Sequence, residues 1–102
     1  MNFNQLMRQA QQMQKKANKT KKEFELKEFD FNSQQDLIKI KMNGRLEIAD
    51  LNISEDLLDK DNKEMLQDLL TVTLNEAIKN IEKQKEDTLN AVTNGVDVSM
   101  FM

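Results

Sequence analysis

The chain has 102 residues, 38% hydrophobic and 32% charged, with no Cys, His, Pro, Trp or Tyr. Without Cys there is no disulfide framework and no thiolate metal site, and without Cys or His the common nucleophile–base pairs are missing. The net charge of −3 conceals a division: residues 1–22 hold six cations and no acid, while the other 80 hold nine bases and eighteen acids.

Such asymmetry speaks about partners, and it marks the first segment as the part suited to meet a polyanion. No apolar run approaches a membrane span, and the polar N-terminus does not resemble a secretion signal. The expectation is a soluble cytoplasmic protein with no membrane contact, organised as one α+β domain over residues 1–102. So little apolar material gives long helices a meagre interior, and pairing with a second copy is the expected source of added stability.

Residues of about 2–26 read as a helix. Asn2 can cap it, with Gln5 in a capping-box position. Apolar or small residues recur at Phe3, Leu6, Ala10, Met13, Ala17, Thr20 and Phe24, in alternating steps of three and four. That is a coiled-coil seam, thin because Ala10, Ala17 and Thr20 offer little area. Arg8, Lys15 and Lys22 are seven apart and remote from the seam, so one helix edge presents cations at about 10 Å intervals. Lys16, Lys19 and Lys21 flank it, where the helix dipole also favours cations.

Residues 27–53 switch to a period of two and predict three strands, about 27–32, 37–43 and 46–53. Phe29 and Phe31 alternate with acids, and Ile38, Ile40 and Met42 with lysines. Asn43-Gly44 is a hairpin signal. Parity slips between the pairs Leu46/Ile48 and Leu51/Ile53, which points either to a bulge near Ala49 and Asp50 or to a longer loop before the strand proper. Placing Ile38, Ile40, Leu51 and Ile53 on one core face requires a Gly44-centred or four-residue loop.

Ser54 opens a short helical turn that Leu57 and Leu58 anchor. Asp61 then caps a helix of about 61–94, with Glu64 completing a capping box. Leu66, Leu69, Leu70, Ile78 and Ile81 belong to its apolar side. Its first half should cover the sheet, and its thinner second half should project and pair. Over this length it would span roughly 50 Å, more than one small domain covers, which again favours a homodimer. Gly95 ends the helix and leaves a short tail, residues 95–102. The acids Asp56, Asp59, Asp61 and Glu64 lack the spacing and the Gly of a calcium loop and are expected as helix-start charges. No cofactor, metal or enzymatic activity is expected.

Residues 6–16, Leu-Met-Arg-Gln-Ala-Gln-Gln-Met-Gln-Lys-Lys, resemble the opening helix of the bacterial YbaB/EbfC family of nucleoid-associated proteins. So do Asp61 to Leu70, the following Asn75-Glu76-Ala77, and the hairpin stretch from Leu37 to Gly44 with Leu51-Asn52-Ile53. The resemblance spans roughly residues 3–95. It implies a helix–sheet–helix protein whose tweezer-like homodimers bind DNA with little or modest sequence preference. Where that family often carries a Gly-rich turn before the second strand, this chain has Asn32-Ser33-Gln34-Gln35-Asp36, and it has no Pro-containing tail.

The candidate DNA-binding residues are Arg8, Lys15, Lys16, Lys19, Lys21 and Lys22, with Lys79, Lys83 and Lys85 secondary because neighbouring acids can pair with them. Cations of this kind neutralise phosphates without reading sequence. The scarcity of aromatics argues against single-strand recognition. The alternative is a protein-interaction module that docks on replication or recombination proteins.

Overall fold

Asn2 starts the first helix, its side-chain oxygen accepting the Asn4 amide at 3.1 Å. From there α1 runs Phe3–Leu26 and ends where Lys27 turns extended and donates its amide to the Phe24 carbonyl. The structure is a computed structural model and describes residues 2–92. Strands β1 (Glu28–Asn32), β2 (Ile38–Asn43) and β3 (Ile48–Ile53) form an antiparallel sheet in that order. Two 3-10 turns, Glu55–Leu57 and Lys60–Asn62, lead into α2 (Lys63–Val92).

The strand register decides which side chains share a face. Phe29 pairs with Met42, Phe31 with Ile40, Ile40 with Leu51 and Ile38 with Ile53. Partners across a ladder point the same way, so these residues line one side of the sheet. Lys41 pairs with Asp50 but Met42 pairs with Ile48, which leaves Ala49 as the extra residue of a bulge. Of the two causes open for the parity slip, the bulge is the one present, and Ile38, Ile40, Leu51 and Ile53 do share a face.

Helix α2 lies over β1 and β2 and alongside α1. The buried core is Phe24, Ile38, Ile40, Met42, Leu57, Ala77 and Ile81, so α1 contributes only through its C-terminal end. Phe24 also meets Phe29, the ring centroids 5.5 Å apart.

The loop between β2 and β3 has the expected four residues, Gly44–Glu47, and is closed by Leu46 N–H to the Asn43 carbonyl (3.0 Å) and Asn43 N–H to the Glu47 carbonyl (2.9 Å). Several boundaries differ from the expectations. Leu46 sits at φ 65 in this turn, so the third strand begins at Ile48 and not at 46. The residue that caps the approach to α2 is Asp59, whose carboxylate accepts the Asp61 amide at 3.0 Å, and not Asp61. Leu57 is buried as expected, but Leu58 faces solvent. The second half of α2 does not stand free. Ile81 is buried and Lys85, Thr88, Leu89 and Val92 are half-buried. Of the residues expected in a core or dimer seam, Leu6, Met13 and Leu51 are exposed on this protomer because none of its own elements covers them. The expected helix stop at Gly95 and the tail lie outside the described residues.

Candidate nucleic-acid interface

The basic segment is a single helical arm. Residues 2–16 are all exposed, Ala17 and Thr20 are half-buried and Phe24 is buried, so α1 is held by its last two turns. The molecule measures 70 × 21 × 18 Å with a radius of gyration of 19.5 Å. A compact domain of this length has a radius of about 13 Å. The two helices account for the elongation, at about 36 Å and 45 Å against about 20 Å for a six-residue strand.

Arg8, Lys15, Lys16, Lys19, Lys21 and Lys22 are all exposed on this arm. At about 100° per residue, Arg8, Lys15 and Lys22 lie opposite Ala17 and Phe24, on the side turned away from the core. Lys19 reaches Glu23 at 4.0 Å, with both side chains mostly exposed. Such a pair contributes little and does not quench the charge. No other of these six cations has a carboxylate within ion-pair distance among the described residues. Gln14 bonds Asn18 at 3.2 Å, and this polar surface carries no acid until Glu23.

The secondary candidates separate from one another. Lys79 and Lys83 are exposed on α2, whereas Lys85 is half-buried beside the β2–β3 loop. The expected pairing of these lysines with Glu76, Glu82, Glu86 or Asp87 is absent among the described residues. Arg45 is a cation that the charge pattern did not single out. It lies at the hairpin tip, 3.7 Å from Glu25 and 4.0 Å from Glu47. The contact with Glu25 joins residues distant in sequence, so periodicity gave no sign of it.

The outer face of the sheet differs from the arm. Lys41 stands between Asp30 and Asp50 in the register, and Lys39 between Asn32 and Asn52. Lys41 also lies 4.0 Å from Glu28. This alternation of signs gives no continuous positive surface. The arm's other side carries exposed Phe3, Leu6, Met7 and Met13, an apolar stripe continuing the line of Ala17 and Phe24. Among the described residues no helix is long and apolar enough to cross a membrane.

A helix–sheet–helix protein with one basic arm is the class that this geometry defines. The chain belongs to the YbaB/EbfC DNA-binding family, whose model matches residues 1–96. A nucleoid-associated protein of Clostridium novyi is 38% identical over 98 residues, which cover 96% of this chain and 86% of the relative. One from Chloroflexus aurantiacus is 36% identical over 96 residues, 94% of this chain and 96% of the relative. Among solved structures, an uncharacterized protein of Helicobacter pylori, HP0035, superposes with a TM-score of 0.72 at 26% identity, covering 85% of this chain and 91% of that one.

Proposed function

We propose that the protein binds double-stranded DNA as a homodimer in the bacterial nucleoid, holding the phosphate backbone through α1 with little or modest sequence preference. The observation that carries this reading is the uncompensated basic edge of Arg8, Lys15 and Lys22, flanked by Lys16, Lys19 and Lys21. Two copies bring twelve such cations together, from six in each chain. Phosphate contacts of this kind release counterions and position a protein without reading bases. Family membership and relatives named nucleoid-associated proteins support DNA as the partner. The homodimer is supported by apolar surface the protomer leaves uncovered, Ile48 and Leu51 on β3 and Phe3, Leu6, Met7 and Met13 on α1. Lys79 and Lys83 are supplementary contacts in this reading.

Combined substitution of Arg8, Lys15 and Lys22 by Glu tests it. Duplex mobility shift at low salt should vanish while sedimentation still reports the wild-type assembly. Persistent binding would remove α1 as the DNA surface. The exposed stripe of Phe3, Leu6 and Met7 favours a second reading, docking on replication or recombination proteins. Recovery of such partners by the triple variant, together with failure of the wild type to bind duplex, would establish that reading instead.

A further inference from the structure

The direction of the basic arm depends on its root, and the root is gripped by the β2–β3 hairpin tip. The Gly44 amide donates to the Lys27 carbonyl at 3.0 Å, one residue beyond the end of α1. A Cβ at position 44 would stand 2.0 Å from the Phe24 carbonyl oxygen and 2.8 Å from its ring carbon Cδ1. Gly44 is outside the left-handed region, so glycine is required here for its size and not for its backbone angle. Next to it, Arg45 Nε lies 3.7 Å from Glu25 Oε2, one residue along the same helical turn.

The tip is itself stiff. The Asn43 side-chain oxygen accepts the amides of Arg45 (2.9 Å) and Glu47 (3.1 Å), and its amide donates to the Glu47 carboxylate at 3.0 Å. On its other flank, a shallow cavity of about 160 Å³ brings Gly44, Arg45 and Leu46 beside Ile81, Glu82 and Lys85 of α2. The tip thus contacts the end of α1 and lies beside α2 near the point where α1 departs.

We propose that this hairpin tip positions the arm, with Gly44 and Arg45 setting the angle at which α1 leaves the sheet and so the placement of its cations along a duplex. The inference rests on the DNA-binding reading above. Leverage makes the angle matter: Arg8 is about 24 Å along the helix from Phe24, so a tilt of about 10° at the root moves it about 4 Å. That displacement equals a whole ion-pair distance.

The absence of Cys allows labels to be placed at will. Spin labels on Gln9→Cys and Asn52→Cys, both exposed sites, report the distance from arm to sheet without DNA. Gly44→Ala should shift that distance by several ångström and weaken duplex binding about fivefold, as loss of a phosphate contact on each arm would. Glu25→Ala is the second variant, and it keeps the test valid if Gly44→Ala does not fold. It removes an acid beside a polyanion site, so electrostatics alone would tighten binding. Positioning instead requires a broadened distance distribution and binding about twofold to threefold weaker. Tighter binding by Glu25→Ala with an unchanged distance would overturn the proposal, as would a shifted distance with unaltered affinity in either variant. Failure of the wild type to bind duplex would overturn the DNA reading, and it is told apart because the distances are measured on the free protein.

Discussion

Ile40 and Leu51 are partners across β2 and β3 and point to the same side of the sheet, yet Ile40 is 2% exposed and Leu51 is 42% exposed. The difference lies in what covers them. α2 crosses over β1 and β2 and leaves the flank of β3 open. With Ile48 beside Leu51, this open side is the surface best suited to a second copy.

Leu51→Asp should therefore dissociate the proposed homodimer without unfolding the protomer. A carboxylate at this site stays hydrated in a monomer and becomes buried and unpaired in a dimer. Analytical ultracentrifugation with circular dichroism checks both halves of this outcome. A helical, folded variant that still sediments as a dimer would exclude this surface from the interface.

Core substitutions should behave differently. Ile81 is buried against the sheet and the base of α1. Ile81→Ala is expected to cost about 2–5 kcal/mol, from lost transfer energy plus the cavity left behind. Ile81→Asp should prevent folding altogether. Urea denaturation followed by circular dichroism measures the first, and loss of helical signal reveals the second.

Salt dependence distinguishes the cations. Each phosphate contact adds about 0.9 to the slope of log affinity against log salt. Lys15→Ala should lower the slope by about 2 in a homodimer, one contact per arm. Lys85→Ala should leave it unchanged, because Lys85 is half-buried beside the hairpin tip. Fluorescence anisotropy titrations across a salt series give both slopes.

The turn before β2 stores backbone strain. Gln35 and Asp36 take φ values of 58 and 54, and both are exposed. A left-handed non-glycine residue costs about 1–2 kcal/mol, and part of the gain from glycine is returned as unfolded-state entropy. Gln35→Gly should thus stabilise the protein by about 0.5–1 kcal/mol, raising its melting temperature by a few degrees. The backbone at these two positions takes a conformation that favours glycine, with no glycine at either.

Much of this architecture is written locally. The three-and-four spacing from Phe3 to Phe24 gives α1, and the period of two from Phe29 to Met42 gives two strands. The broken parity between Ile48 and Leu51 gives the bulge at Ala49. Local pattern misleads where two local rules compete. Leu46 fits an alternating pair with Ile48, but the turn places it in a left-handed conformation, so it closes the hairpin. Asp61 and Asp59 both satisfy a helix-start pattern, and Asp59 makes the bond to the backbone.

By itself the sequence determined the helix–sheet–helix order and the segregation of charge into a basic arm, because periodicity and charge run are properties of neighbouring residues. Only the tertiary structure decided which of those residues are covered. Leu6, Met13 and Leu51 have the same apolar character as Ile40 and Ile81, but burial depends on which distant element lies above a side chain. The contact of Gly44 with Phe24 and the ion pair of Arg45 with Glu25 were beyond local pattern for the same reason. They exist because the sheet folds a hairpin tip back onto the end of a helix that closed some twenty residues earlier.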